Sequence, residues 1–340
     1  MQETSHGQLP SALVVDGPTP MGLAKASLSQ LVAETLKRIQ NGSFCENDTS
    51  IRLGNAIQDR LNDALNVHNN RFSKQRLLDT YYTLHGSLEN RPRIDNARVL
   101  DLGCGSVNPL GLSMLFQLMG ARRTYAVDLD PVQDSRRAVR ALADVIREIL
   151  FDPGIVANPT IPTGAELLRR VSSFDLPALA RGEISGIDSD RMQFHLRSAD
   201  ALDIVGDNEL DLVVSNSFFE HVEDPDAVIG ELARATKLGG RGVHVIDGTD
   251  HLYYGDPKLG QLDFLRSPGD ATMCFGCNRI RPVAFVEIFE RHGFAAEVSE
   301  LQRIELDETT IAGFQEPWRS MSPACLQTTI ARLDVRRVAD

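Results

Sequence analysis

Two groups of residues in this sequence carry chemistry by their type and spacing. In the first, Asp101-Leu-Gly-Cys-Gly105 places a carboxylate and two glycines at the end of an apolar run, Val99 to Leu102. Asp128 closes a second apolar run about 25 residues later, a spacing at which a carboxylate reaches ribose hydroxyls. Gly103 and Gly105 lack the Cβ atoms that would block a ligand's approach to the backbone. In the second group, Glu220-His221 and the set Asp247, Asp250 and His251 put imidazoles beside carboxylates. Such neighbours tune a histidine toward neutrality, which suits a general base.

These residues need elements to hold them. Residues 98–102 read as a strand, and Leu110 to Met119 as a helix whose first N–H groups face the ligand of the glycine turn. Thr124 to Asp128 reads as the next strand. Pro131 suits the first position of a long helix with Val132, Val139, Leu142, Val145, Ile146 and Ile149 on one face and Asp130 as its cap. Strands follow at Met192 to Arg197, Leu210 to Ser215 and Val243 to Ile246, with a helix from Pro225 to Thr236 ended by Gly239 and Gly240. His244, inside an apolar strand, is expected to be a core histidine with its hydrogen bonds satisfied. Pro282 to His292 reads as a helix stopped by Gly293, with strands near Ala295 to Leu306 and Leu326 to Leu333.

The glycine turn lacks the third glycine, at Asn108, that a dinucleotide fingerprint requires. With its leading acidic residue it resembles the first motif of class I S-adenosylmethionine (SAM)-dependent methyltransferases. Three later segments extend the resemblance in the same order. Ser198-Ala-Asp200-Ala201-Leu202 resembles the acidic loop after strand three, and Asp211-Leu-Val-Val-Ser-Asn216-Ser-Phe-Phe-Glu220-His221-Val222 resembles strand four and its loop. Leu238-Gly-Gly240 followed by Gly242 to Asp247 resembles the turn into strand five. The similarity spans roughly residues 95 to 300.

That resemblance implies a Rossmann-like, doubly wound α/β sheet of about seven mostly parallel strands, the last one antiparallel. It implies SAM as cofactor and S-adenosylhomocysteine as product. Carried over by residue, it sets Asp101, Gly103 and Gly105 around the methionine part, with Cys104 contributing only its backbone. Asp128 meets the ribose hydroxyls with Leu129 beside the adenine, Asp200 and Ala201 meet the adenine edge, and Asn216 lies near the sulfonium. Asp130 competes with Asp128 for the ribose. His221, His251 and Glu220 are the candidate catalytic groups; Glu-His after strand four is also a family signature in which the pair orients the loop. A non-catalytic SAM-binding subunit and a nicotinamide dehydrogenase are the alternatives.

Residues 1 to about 20 read as a tail. Leu28 to Ile39, Ile57 to Leu65 and about Arg71 to Leu88 read as helices, the last gathering Phe72, Leu78, Tyr81 and Tyr82. Residues 1–94 are therefore expected to form a helical lid, or a layer on one side of the sheet, ahead of a methyltransferase domain at 95–340. That domain carries insertions near 151–190 and 248–280. The second insertion, rich in Tyr253, Tyr254 and Phe264, follows the carboxyl end of a strand, where open α/β sheets bind ligands, and is the expected acceptor pocket.

The chain has 340 residues and a net charge of −12, which disfavours nucleic acid as partner and favours a small-molecule acceptor, through oxygen or nitrogen. Five cysteines without a pairing framework fit a reducing cytoplasm. No apolar run reaches the roughly 18 residues of a membrane span. Cys274-Phe-Gly-Cys277 has metal-ligand spacing but no second pair, so two free thiols in a turn are expected and no metal is assigned. A metal held by Asp247, Asp250 and His251 is the minor alternative. Exposed N-terminal helices would suit a homodimer.

Overall fold

The computed structural model describes residues 74–152, 162–256, 258–267, 273–274 and 276–339. The helices expected at Leu28 to Ile39 and Ile57 to Leu65, and Phe72, lie outside them. The central sheet has seven strands: β1 (Arg98–Leu102), β2 (Arg123–Asp128), β3 (Met192–Leu196), β4 (Leu210–Asn216), β5 (Thr236–Asp247), β6 (Phe294–Arg303) and β7 (Thr328–Arg337). Their order is β3-β2-β1-β4-β5-β7-β6. β1 to β5 pair in parallel, and β7 runs antiparallel to both of its neighbours. The direction of winding reverses between β1 and β4, so the crevice at a topological switch point opens at their carboxyl ends.

Apolar residues fix which faces are covered. On one side, α1 (Lys74–Tyr81), α2 (Gly111–Leu118) and α3 (Ser135–Phe151) bring Tyr81, Phe116, Leu142 and Ile146 against Val99, Ala126 and Leu212. Leu84 and Leu88 join this core, so residues 78–88 belong to the packing of the sheet itself; Tyr82 is exposed. On the other side, α6 (Pro225–Ala235) and α7 (Phe285–Arg291) bring Ile229, Leu232, Phe285 and Phe289 against Leu100, Leu102 and Val213. No helix among the described residues is long and apolar enough to cross a membrane.

Several boundaries differ from the sequence reading for local reasons. Helix α3 begins at Ser135 because the Asp134 side chain accepts the Arg137 N–H at 2.9 Å, leaving Asp130 and Pro131 ahead of the helix. The first insertion folds into α4 (Gly164–Val171) and α5 (Leu176–Arg181), whose Leu167 and Leu179 join the core of α3. α6 ends at Ala235, before Gly239 and Gly240, which lie in an irregularity of β5 where pairing steps from Thr236 to Arg241. β7 starts at Thr328, since Ser322 caps the short helix Pro323–Gln327 and takes Leu326 into it. Leu262, Phe264, Phe314, Trp318 and Leu326 form a separate small core that ties the second insertion to residues 314–326.

Candidate functional site

The glycine turn is held by main-chain hydrogen bonds. Gly103 and Cys104 N–H groups donate to the Val127 carbonyl, at 2.9 and 3.2 Å, laying the turn across the end of β2. Gly105 N–H donates to Asp128 Oδ2 at 2.7 Å, and Asp130 N–H donates to Oδ1 at 2.9 Å. Both glycines have positive φ, +70° and +79°. A Cβ on Gly103 would lie 2.4 Å from Phe218 of the loop after β4, whereas one on Gly105 would meet nothing within 4 Å. The turn therefore closes on the β4 loop at one glycine and opens to a ligand at the other.

Burial governs the electrostatics of this half. Asp101 is buried, and burial together with the neighbouring Asp128 pushes its carboxyl up to about 8. Burial also raises Asp128, moderated by the Asp130 and Gly105 N–H groups. The Cys104 thiol is pushed up by burial and by both carboxylates, which leaves it inert at neutral pH. Leu129, 47% exposed, supplies apolar surface beside Asp128. Asp200 and Ala201 lie exposed on the loop leaving β3, next to β2, and Asn216 ends β4 half-buried. Carboxylate lone pairs beside an open glycine turn and an exposed leucine fit the ribose and adenine of SAM.

The second half forms where β4 and β5 end. After Asn216 the chain makes a tight turn, Phe219–His221, and β5 ends at Asp247. Thr249 N–H donates to Asp247 Oδ1 at 2.9 Å and the Tyr254 hydroxyl donates to Oδ2 at 2.7 Å; His251 Nε2 stands 3.7 Å from the same Oδ2. The rings of His221 and His251 lie 4.9 Å apart, edge to face. Glu220, His221, Asp247 and His251 are thus brought together. Asp250 instead spends one oxygen on the Leu252 N–H, capping the turn His251–Tyr254.

Burial pushes Asp247 up, but the neighbouring His251 ring and the hydrogen bonds from Thr249 and Tyr254 more than offset it and hold the carboxyl below its ordinary range. Glu220 is the reverse case. Enclosed at 1% exposure, its oxygens have no well-formed hydrogen bond; weaker contacts with Ser217 and main-chain N–H groups do not prevent burial and Asp247 from raising it well above a normal carboxyl. Burial and then the charge of His251 lower His221, whose ring, unlike a fully enclosed one, keeps an open edge. His244 is such a ring, in contact with Ser215 Oγ at 2.9 Å, and burial lowers it to about 3.

Sequence reasoning missed the parts that assemble this half. Asn278 donates to the Phe219 and Val222 carbonyls at 2.6 and 2.8 Å, pinning the turn after β4 to the hairpin formed by Met273–Cys274 and Cys277–Asn278. The hairpin delivers Cys277 Sγ to within 3.8 Å of His221 Nδ1, and the Gly276 carbonyl accepts from that nitrogen at 2.8 Å. Fully buried Arg281 donates to the carbonyls of Gly248, Leu326 and Thr328 at 2.6, 3.3 and 2.9 Å.

A glycine turn after β1, an acidic end to β2 and this sheet order together define a class I SAM-dependent methyltransferase. Residues 70–298 match the family model for the methyltransferase domain, and the chain belongs to that family. It is an enzyme domain with SAM as its methyl donor, and the dehydrogenase alternative falls with that match. Solved structures similar to it include a SAM-dependent methyltransferase from Mesorhizobium loti, at 17% identity over 72% of this chain and 93% of that one, with a TM-score of 0.37. Another is geranyl diphosphate methyltransferase in complex with SAM, at 13% identity over 85% and 90%, TM-score 0.39. A third is phosphoethanolamine N-methyltransferase 2 of Haemonchus contortus with S-adenosylhomocysteine, at 16% identity over 78% and 52%, TM-score 0.39. No curated protein matches the chain.

Proposed function

We propose that this enzyme methylates an oxygen or nitrogen of a small-molecule acceptor held over the carboxyl ends of β4 and β5. The observation that carries this reading is the convergence of His221, His251 and Asp247 on one loop system, whose Phe218 closes on Gly103 of the cofactor turn. Bound SAM supplies an electrophilic methyl group on a sulfonium. Asp128 would hold its ribose, and Asp101 with the glycine turn would border its methionine part. The buried wall of the second insertion, with Leu262, Phe264 and Leu265, restricts water, so that orientation of the acceptor lowers the barrier. Removal of the acceptor's proton is assigned to the His221–His251 pair, His221 first, with Asp247 beside His251. A net charge of −12 supports a small molecule over a polyanion.

The test is transfer of labelled methyl from SAM to pools of small alcohols, phenols and amines by the full chain. A labelled ether or N-methyl product is expected; labelling of nucleic acid or protein alone would overturn the reading. Asp128→Ala is expected to weaken SAM by about 1.5 to 3 kcal/mol, the scale of a hydrogen bond to a charged group. His221→Ala is expected to lower kcat by roughly 10²- to 10⁴-fold with SAM affinity kept.

A further inference from the structure

We infer that His221, His251 and Cys277 form a binding site for one divalent cation of the zinc class. A ring nitrogen from each histidine and the Cys277 sulfur all lie within 4.8 Å of one another. A tetrahedral zinc ion needs its nitrogen and sulfur ligands about 3.3 to 3.6 Å apart, so an inward shift of roughly 1 Å or less closes the triad. Two histidines and a thiolate are a donor set that prefers zinc over magnesium or calcium.

Two observations favour an ion here. His251 Nε2 is enclosed and has no well-formed hydrogen bond: Asp247 Oδ2, at 3.7 Å, is beyond bonding reach and already accepts from Tyr254, so an ion would give the ring nitrogen a partner. The Gly276 carbonyl, 2.8 Å from His221 Nδ1, holds the ring of His221 beside Cys277, whose Sγ lies 3.8 Å from the same nitrogen; such a backbone contact is the usual outer support of a ligating histidine.

The triad leaves a fourth position for water or an acceptor atom, as catalytic zinc sites do. This role rests on the proposed function: a hydroxyl bound to the ion would lose its proton more readily, with the Asp247 carboxylate close by. The ion's binding does not rest on it.

The full chain, stripped with a strong chelator and dialysed against micromolar zinc, is expected to retain one ion per chain by mass spectrometry. Cobalt(II) in its place is expected to give a sulfur-to-metal charge-transfer band. Cys277→Ser should abolish that band, and His251→Gln should weaken zinc by about 100-fold or more, since even outer supports are worth 10- to 100-fold. Cys325→Ser should change neither. If Cys277→Ser fails to fold by circular dichroism, the His251→Gln and His221→Gln variants carry the test. Substoichiometric zinc, a missing thiolate band, or binding indifferent to these substitutions would overturn the inference. SAM calorimetry on the same samples separates the two readings: lost SAM binding with zinc retained defeats the function, and the converse defeats the site.

Discussion

Phe218 stands where Gly103 would carry a side chain, 2.4 Å from the position of that missing Cβ, so the loop after β4 closes directly on the cofactor turn after β1. The cofactor half and the chemical half of the site are therefore in van der Waals contact through one glycine. Gly105, two residues on, has the same left-handed backbone but open space in front of it.

The two glycines should consequently respond differently to alanine. Gly103→Ala combines left-handed strain with a clash, and is expected to cost about 2 to 5 kcal/mol of stability, with SAM binding lost as the β4 loop is displaced. Gly105→Ala carries only the backbone term of about 1 to 2 kcal/mol, yet its methyl group would enter the ligand's space. Denaturant unfolding and SAM calorimetry on both variants check this; equal stability losses would contradict it.

How much of this was legible in the sequence follows from distance along the chain. Asp101, Gly103, Gly105 and Asp128 could be read because one β-α-β unit positions them, and spacing alone encodes such a unit. His221 and His251 could be read because each follows a strand end. Cys277 and Asn278 could not be placed, since their roles depend on a hairpin folding back on a turn 55 or more residues away. Capping produced the boundary differences. Asp130-Pro131 and Asp134 are rival helix starts, and the side-chain bond from Asp134 to Arg137 N–H decides between them; Ser322-Pro323 likewise outweighs the apolar run that made Leu326 look like strand.

Asp101 makes SAM binding pH-dependent. With its carboxyl pushed up to about 8 it is mostly protonated at neutral pH, and SAM's positive charge would pull it back toward ionisation. Binding should release a proton below about pH 8, and affinity should rise with pH by at most about tenfold per unit until that point. Calorimetry in two buffers of different ionisation enthalpy measures the proton. Asp101→Asn, which cannot ionise, should bind SAM with no pH slope from this group; an unchanged slope would place the proton elsewhere.

His244 sets an acid limit on stability. Its folded pKa of about 3 is depressed by burial, against about 6.5 when unfolded, so the unfolded chain binds the extra proton. The stabilisation from keeping this ring neutral is fully present above pH 6.5 and is lost as pH falls toward 3, at up to about 1.4 kcal/mol per unit. His244→Gln can keep the contact with Ser215 and cannot titrate. Unfolding curves at pH 7 and 5 should show a smaller acid loss in the variant, and parallel losses would mean that other groups dominate.

Arg281 should prove a keystone of the chemical half and not of the cofactor half. Its guanidinium is fully buried and burial lowers it to about 10, which shows that the fold bears a desolvation cost for this charge. What offsets the cost is three carbonyls from separate segments: Gly248, adjoining Asp247, and Leu326 and Thr328 at the start of β7. Arg281→Met would remove the buried charge, a gain, but would strip all three carbonyls of a charged donor at about 1.5 to 3 kcal/mol each. The second effect is larger, so a net loss of about 3 kcal/mol or more is expected. Arg281→Lys should recover little of it, because an ammonium lacks the planar fork that spans these acceptors. SAM affinity of the folded variants should stay near that of the parent, since none of these bonds touches the turn from Asp101 to Gly105. Denaturant unfolding paired with SAM calorimetry reads both quantities, and a variant that keeps its stability while losing SAM would reverse this assignment.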